Sequence, residues 1–305
     1  MTQISEQDIG KRVTIRLRDG IGYRDIVGYL QSTTSLLNRH GQLIEFDPQE
    51  IHIWKAIEEV PRTATSGAPL SIRIYELEAK LAKTWRAKEE ELIDGWLFRA
   101  DVGISKRANS ALALNNKKPI NEVISWYQKR NLFPAITLFP AIDSELDTEL
   151  ANRGFEFLHD CNVMVKEKGD AKIDFEYKCD DFPDRDWLKV TGDEKLLDLF
   201  IRSDAKYLSI KIDGMQTAAG RIAFSDDWAV LSRIWVTPEM RGKGFGGKIL
   251  AALENESKNM KIALQVESRN ETAIKLYESS GYTTHHVYRA RELRQQKDLT
   301  QDRCC

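Results

Sequence analysis

Two stretches of this 305-residue chain repeat the same order of strand, helix and strand. The first comprises an apolar strand at 135–139, an acidic helix at 144–152 and the pair Gly154-Phe155. The second comprises a strand from residue 262, a helix and the pair Gly281-Tyr282, each 127 residues further along the chain. An internal repeat of this kind indicates that one structural unit occurs twice. The sequence therefore predicts an α/β fold with two related halves.

A glycine-rich turn with the sequence Arg-Gly-Lys-Gly-Phe-Gly-Gly lies at 241–247, before the strand that starts at residue 262. It follows the apolar run 231–236 and leads into a helical stretch, so it joins a strand to a helix. Glycines at such a junction let backbone N–H groups converge at the positive end of the helix dipole, where phosphates bind. The spacing fits neither the Walker nor the dinucleotide pattern. It matches Arg-x-x-Gly-x-Gly at Arg241, Gly244 and Gly246.

The corresponding turn of the first half has no glycine. A shift of 127 residues from the glycine turn leads to Leu-Asn-Asn-Lys-Lys-Pro at 114–119, and the same shift from Tyr277 leads to Leu150. Without the glycine backbone and the hydroxyl, the first half is not expected to bind a pyrophosphate or to perform chemistry. We expect it to be a scaffold or one wall of a substrate cleft.

The glycine turn and the residues after it resemble the GNAT family of acetyl-CoA-dependent N-acetyltransferases. Val-Thr-Pro-Glu at 236–239 leads into the turn, and Leu-Gln-Val-Glu-Ser-Arg-Asn at 264–270 resembles the family's next motif. Ala273, Leu276-Tyr277 and Gly281-Tyr282 continue that likeness. Over nearly all of the chain, the sequence is similar to actinobacterial members in which an SH3-like domain precedes a degenerate and a functional GNAT half. The stretches that carry this wider likeness are 96–100, 107–110 and 283–288.

The resemblance implies a small N-terminal SH3-like β-barrel followed by two GNAT-like mixed-sheet units, an α/β (α+β) architecture. Five short apolar or alternating runs before residue 55 fit a small barrel by pattern. Periodicity predicts helices near 72–90 and 193–205. A segment rich in Pro, Thr and Ser at 61–69 is typical of a linker. The predicted domains are an SH3-like barrel at 1–62, a degenerate GNAT-like domain at 70–168, an acetyl-CoA-binding GNAT domain at 180–292 and a charged tail at 293–305.

The same resemblance assigns residues to acetyl-CoA as co-substrate. It implies that the turn holds the pyrophosphate, that the free edge of the preceding strand pairs with the pantetheine arm, and that Asn270 bonds to that arm. Asn270 could also cap the following helix, and both roles are compatible. The predicted cofactor-binding residues are Ile234, Trp235, Val236, Arg241, Gly242, Lys243, Gly244, Phe245, Gly246, Gly247, Asn270 and Tyr277. No metal is expected.

Tyr277 matches the family's general acid, which protonates the departing thiolate. Its alternative role is core packing, because it lies three and four residues from other apolar residues of its helix. A base is also needed, since an alkylamine has a pKa of about 10 and is mostly protonated at neutral pH. Many relatives carry a glutamate on the strand before the turn, but Ser-Arg-Ile-Trp-Val at 232–236 has no carboxylate.

The first candidate for the base is therefore Glu267, at the end of the next strand. Glu267 could instead pair with Arg269. The other candidates are His285, His286, Asp226 and Asp227. On a regular strand the two histidines would face opposite sides, so one of them at most would face the cleft.

Charge and composition limit the partners. The formal net charge is -2 and the pI is about 6.3, so no basic field attracts nucleic acid. Residues 1–62 carry eight Lys or Arg against nine Asp or Glu, which makes nucleic acid an unlikely partner of the barrel as well. Neither a signal peptide nor a membrane-length apolar run is present, and the four cysteines lack metal-ligand spacing. These features predict a cytoplasmic protein that does not bind membranes.

The predicted function is transfer of an acetyl group from acetyl-CoA to a primary amine by direct attack, in a monomer or homodimer. The acceptor amine can be a small molecule or a protein amine. One alternative is a non-catalytic acyl-CoA sensor that uses its barrel to engage a partner. Another is a mycothiol-type small-molecule acetyltransferase, against which the N-terminal barrel argues.

Overall fold

The structure, a computed structural model, describes residues 4–20, 22–38, 42–57, 68–101, 105–169 and 171–294. The chain divides into two compact units, Met1–Gly67 and Ala68–Cys305. Most of the predicted tail, with Cys304 and Cys305, lies outside the described residues. Within the described ranges, no helix has both the length and the apolar character needed to cross a membrane.

The first unit is a five-stranded antiparallel sheet. Its strands are β1 (Arg12–Asp19), β2 (Gly22–Ser32), β3 (Ser35–Asn38), β4 (Leu43–Glu45) and β5 (Ile51–Ala56). They pair in the order β4-β3-β2-β1-β5, and alternate residues of β1 point into the core. The ladders of the described residues leave β4 and β5 as edges, so the predicted closed barrel is not confirmed. Closure would need a ladder between those edges, and β4 is only three residues long.

The second unit contains one sheet of eleven strands and seven α-helices among its described residues. In the part before Gly169 these are α1 (Leu70–Lys83), β6 (Glu89–Ile93), β7 (Trp96–Ala100), β8 (Ala111–Leu112), α2 (Ile120–Gln128), β9 (Ala135–Leu138), α3 (Ser144–Asn152) and β10 (Glu156–Lys166). After it come β11 (Lys178–Asp180), α4 (Arg185–Thr191), α5 (Leu197–Phe200), β12 (Ala205–Ile212), β13 (Met215–Ser225), β14 (Trp228–Val236), α6 (Phe245–Glu256), β15 (Lys261–Glu267), α7 (Glu271–Ser279) and β16 (Thr283–Glu292). The strand order is β11-β12-β13-β14-β15-β10-β16-β9-β8-β7-β6.

This order is symmetric about the central antiparallel pair β10 and β16. On one side follow β15, its parallel neighbour β14, then β13 and β12; on the other follow β9, its parallel neighbour β8, then β7 and β6. The helices α3 and α7 begin at Ser144 and Glu271, and β10 and β16 begin at Glu156 and Thr283, so both pairs are separated by 127 residues. The arrangement is the one that the sequence repeat predicts.

The two halves are interlocked through their last strands. β10 follows α3 in the chain but pairs with β15 of the second half, and β16 ends the second half but pairs with β9 of the first. The two strands also pair with each other along most of their length. Each half therefore completes the sheet of the other, and side chains of β10 reach the second half.

Two predicted helices differ from the structure. The helix predicted at 72–90 ends at Lys83, and Glu89 already belongs to β6, which forms a hairpin with β7 through a tight turn at Asp94 and Gly95, both with positive φ. In place of the helix predicted at 193–205, the structure has a 3-10 turn at Glu194–Leu196 and the four-residue helix α5, and β12 begins at Ala205. Gly192 ends α4 in the left-handed conformation, with φ of 70°.

The helix α6 packs on β12, β13 and β14 and thereby fixes the glycine turn at its N-terminus. Ile249 and Leu253 on its inner face are fully buried. Gly220 of β13 lies directly beneath them, where an added Cβ would stand 2.7 Å from Leu253 Cδ1. A larger residue at this position would therefore displace the side chains of Leu253 and Ile249, so glycine favours the close approach of helix and sheet.

Candidate functional site

A cleft opens where β14 and β15 separate. Their parallel ladder joins Trp228–Leu231 to Lys261–Leu264 and goes no further, whereas β14 stays paired with β13 as far as Val236. A bulge accompanies the separation: Arg233 and its neighbour Ile234 lie opposite a single residue of β13, and Arg233 has φ of 55°. Just before the glycine turn, the edge of β14 that faces β15 is therefore no longer paired with β15.

The cleft has a volume of about 760 Å³, within the range of small-molecule sites. Both halves line it. The first half supplies Trp85, Ser105, Arg107, His159 and Cys161. Of the residues predicted from the sequence, those that line the cleft are Ile234, Glu267, Asn270 and Tyr277. The first half is therefore one wall of the cleft, as the sequence predicts.

The glycine turn combines two left-handed glycines with the start of α6. Gly242 and Gly244 are left-handed, with φ of 75° and 83°, and an added Cβ at either would meet nothing within 4 Å. Gly244 is the N-cap of α6, whose first turn has N–H groups without partners inside the helix. Arg241 Nε donates a hydrogen bond of 3.2 Å to the carbonyl of Val236, which joins the turn to the end of β14. The predicted loop residues are exposed or half-buried except Phe245, which packs in the core.

The two residues assigned from α7 lie on its first and second turns. Asn270 accepts a hydrogen bond of 3.2 Å from the amide of Ala273, so the helix-cap role is present. Tyr277 is 7% exposed and contacts the core while lining the cleft. Burial raises the pKa of Tyr277 to about 12, so its hydroxyl keeps its proton at neutral pH.

Among the described residues that line the cleft, Glu267 is the one carboxylate. Its side chain is 45% exposed, and its Oε2 lies 2.5 Å from Nε of Arg269, the ion pair that the sequence raised as an alternative. The turn residues Asp226 and Asp227 instead pair with lysines of α1, at 3.2 Å and 2.5 Å, and do not line the cleft.

The two histidines of β16 do not alternate as predicted. A register shift between β10 and β16 places His286 opposite Val163 and Thr284 opposite Met164, which removes the regular alternation at His285. The Nδ1 atoms of the two rings lie 2.9 Å apart, and Nε2 of His286 lies 3.1 Å from Glu78 Oε1. Neither histidine lines the cleft.

Sequence reasoning missed the residues that β10 brings to the cleft. Cys161 lies directly opposite Glu267, and burial raises the pKa of its thiol. Burial lowers the pKa of His159, and the guanidinium of Arg107 adds to that effect. The repeat predicts that β10 exists, but strand patterns carry no information about which half it pairs with.

The first half's counterpart of the site is closed. Asn115 Nδ2 donates a hydrogen bond of 2.8 Å to the carbonyl of Asp94, and Asn115 Oδ1 accepts one of 3.0 Å from the amide of Lys117. The amide of Lys117 is thereby hydrogen-bonded, whereas the corresponding amide of the glycine turn in the second half is left exposed. Leu150, at the position that corresponds to Tyr277, is fully buried in an apolar core.

Comparison with known proteins gives a family match. Residues 71–291 match the family model described as "Probable histone acetyltransferase Rv0428c C-terminal". The chain is 27% identical over 300 residues to "Probable histone acetyltransferase Rv0428c" of Mycobacterium tuberculosis, covering 93% of this chain and 95% of that protein. It is also 27% identical over 241 residues to "Uncharacterized N-acetyltransferase YobR" of Bacillus subtilis, covering 71% of this chain and 98% of that protein.

Among solved structures, a GCN5-related N-acetyltransferase from Kribbella flavida aligns with a TM-score of 0.59. The alignment covers 77% of this chain and 98% of that one at 14% identity, so it supports the fold. The mixed α/β sheets are therefore of the GNAT type.

Proposed function

This chain belongs to the acetyltransferase family of the Rv0428c C-terminal region, and from that premise we propose that it transfers an acetyl group from acetyl-CoA to a primary amine. The observation that carries the proposal is the cleft between β14 and β15. It presents the free edge of β14 just before the glycine turn, and Tyr277 lines the same cleft. A cofactor with a pyrophosphate and an extended, amide-containing arm fits these features.

The exposed amides at the start of α6 would bind the pyrophosphate. Each favourable contact of an anion with a helix N-terminus contributes only about 0.3–1 kcal/mol, so several must act together. Arg241 stands beside them, and Ile234, Trp235 and Val236 would pair with the pantetheine arm as a further strand would. The left-handed φ of Gly242 and Gly244 supports this placement, because side chains other than glycine rarely adopt the conformation that this turn needs.

Acetyl-CoA supplies a thioester carbonyl for attack by the amine. The new C–N bond forms, the C–S bond breaks, the amine loses a proton and the leaving thiolate gains one. We assign the donated proton to the Tyr277 hydroxyl, which is still protonated at neutral pH because burial raises its pKa to about 12. We assign the lost proton to Glu267, as the carboxylate of the cleft.

The assignment of Glu267 predicts that Glu267→Gln lowers kcat by about 10²–10⁴, because general-base assistance is typically of that size. His159→Asn is the companion variant, since burial lowers the pKa of His159 below its ordinary 6.5 and leaves the imidazole neutral and able to accept a proton at pH 7. Steady-state rates between pH 5 and 9 make the comparison.

If His159 were the base, the rate would fall below pH 6.5, where a histidine with a lowered pKa becomes charged. This acidic limb of the pH profile would persist in Glu267→Gln and disappear in His159→Asn. Arg269→Gln controls for the ion pair, because it frees Glu267 without removing its carboxylate. Full activity and an unchanged profile in Glu267→Gln would contradict our assignment.

We further propose that the second half, 180–292, holds the single acetyl-CoA site and that the first, 70–168, is degenerate. The closed turn around Asn115 and the buried Leu150 support this division. For residues 1–62 we propose an SH3-like module. Its described part is antiparallel and small, as such a module would be.

The Mycobacterium tuberculosis relative is named a probable histone acetyltransferase, which favours a second kind of acceptor, a lysine of a histone-like protein. An acyl-CoA sensor without catalysis is the competing class. Continuous thiol release from acetyl-CoA, measured with a panel of small amines and lysine peptides, tests these possibilities together. Tight acetyl-CoA binding without turnover across the panel would favour the sensor and contradict an enzyme.

A further inference from the structure

We infer that the acceptor of this proposed reaction is a small primary amine that also carries a carboxylate, and that Arg107 binds this carboxylate. The inference rests on the proposed acetyl transfer and specifies its substrate class. Arg107 lies in a short 3-10 helix, Lys106–Ala108, of the first half, and it lines the same cleft as Tyr277 of the second half.

Arg107 is the arginine of the cleft that lacks a carboxylate partner. Three arginines line the cleft: Arg233 is 2.9 Å from Asp193, and Arg269 is 2.5 Å from Glu267. For Arg107, no carboxylate lies within 4.0 Å among the residues that the structure describes. The cleft therefore keeps one positive charge that nothing in its described walls neutralises.

The surroundings of Arg107 orient its guanidinium without compensating its charge. The group stands over the indole of Trp85, with 5.2 Å between the guanidinium carbon and the ring centroid. A guanidinium packed on an aromatic face still presents its N–H donors at its edge, and these donors match the two oxygens of a carboxylate. Trp85 thus supports the arginine and leaves its hydrogen-bonding edge for a ligand.

Apart from Glu267, which pairs with Arg269, three titratable groups that line the cleft with Arg107 are neutral at pH 7. Burial lowers the pKa of His159, which disfavours the imidazolium, and raises the pKa of both the Cys161 thiol and the Tyr288 hydroxyl. None of these groups supplies a negative charge. Arginine side chains stay charged in proteins, so a bound anion is the remaining way to pair the half-buried guanidinium of Arg107.

This charge distribution selects among acceptors. An amine held in a basic peptide would bring further positive charge towards Arg107, which costs free energy in a partly desolvated cleft. An amine with its own carboxylate brings the opposite charge and can form two parallel N–H···O bonds. A cleft of about 760 Å³ accommodates such a small molecule.

The test compares matched acceptors in the full-length protein. The panel consists of glycine, β-alanine, 4-aminobutanoate and 5-aminopentanoate, each beside its neutral carboxamide, together with a lysine in a basic peptide. The chain-length series locates the amine relative to the carboxylate. Values of kcat/KM are measured for the wild type, Arg107→Gln and Arg107→Lys, with acetyl-CoA affinity measured separately.

Arg107→Gln should lower kcat/KM for the best carboxylate-bearing amine by about 10- to 100-fold, the usual effect of removing charge-assisted hydrogen bonds. The matching carboxamide should change by less than about twofold, and acetyl-CoA affinity should stay constant. Arg107→Lys should recover part of the loss, because it restores the charge without the planar fork. Arg130→Gln is the matched control, since Arg130 also stacks on an indole, 3.6 Å from the Trp126 centroid, and does not line the cleft.

A preference for the carboxamides or the basic peptide, with no change of that preference in Arg107→Gln, overturns the carboxylate site and leaves the proposed acetyl transfer intact. If no amine is acetylated, the proposed function fails. Calorimetric binding of the amino acids to the wild type and to Arg107→Gln then tests whether Arg107 binds a carboxylate. Binding that Arg107→Gln weakens at least tenfold supports the site. Equal binding by both proteins, or no binding to either, rejects it.

Discussion

Tyr277→Phe is expected to lower kcat for acetyl transfer by about 10²–10⁴, the range of general acid catalysis. The variant removes one hydroxyl from a ring that is already packed in the core, so the fold should be retained. Because burial raises the pKa of Tyr277 to about 12, the hydroxyl is a full proton donor at every pH used for assays. In the variant, the thiolate would leave without protonation. Steady-state kinetics measure kcat, and a separate titration measures the affinity for acetyl-CoA, which should change only a few-fold.

Tyr282→Phe is the matched control for this variant. Its ring lies 6.0 Å from that of Tyr277 and is equally buried, but Tyr282 does not line the cleft. It should keep wild-type kcat while showing a comparable change in thermal stability. An equal loss of activity in both variants would mean that Tyr277 acts by packing, and a wild-type rate in Tyr277→Phe would remove it from the mechanism.

Gly244→Asp is expected to weaken acetyl-CoA binding by at least 100-fold. The residue is the N-cap of α6, and aspartate is both a good N-cap and one of the residues that tolerate the left-handed conformation. The helix should therefore still form. The new carboxylate would occupy the positive end of the helix dipole and would repel the pyrophosphate that the loop amides are proposed to bind. Equilibrium binding of acetyl-CoA provides the measurement.

Gly214→Asp separates this effect from backbone strain. Gly214 has φ of 76° in the turn between β12 and β13, and an added Cβ there also meets open space. Both substitutions should therefore cost similar stability, about 1 kcal/mol. Only Gly244→Asp should weaken binding of acetyl-CoA. Unchanged affinity in Gly244→Asp would place the pyrophosphate elsewhere.

The sequence predicted what depends on local spacing. A strand, a glycine turn and a helix are consecutive in the chain, so the turn at 241–247 and the helix after it could be predicted from the sequence, while pyrophosphate binding by the turn stays a prediction. The repeat could be predicted in the same way, by comparing two stretches of one chain. The helices α3 and α7 begin at Ser144 and Glu271, which are separated by the 127 residues of the repeat. Asn270 was predicted as a helix cap for the same reason, because capping involves neighbours three residues apart.

What could not be predicted depends on contacts between distant residues. Arg107 reaches the cleft because of how the two halves pack, and nothing in its local sequence distinguishes it from a surface arginine. The bulge at Arg233 and the register shift at His286 result from strand pairing, which local alternation cannot reveal. The ladder between β10 and β15 is the strongest example, since it joins residues about a hundred positions apart.

The interlocked strands also determine when the protein can finish folding on the ribosome. Synthesis proceeds from the N-terminus, and domains usually fold as they emerge. Here β9 cannot complete its pairing until β16 (Thr283–Glu292) has been made, and β16 follows every other described strand of this sheet in the chain, so until then β9 and β10 both present unpaired edges. A message truncated before Thr283 would therefore yield a chain whose first half is fully translated and still incomplete, with two exposed strands available for aggregation.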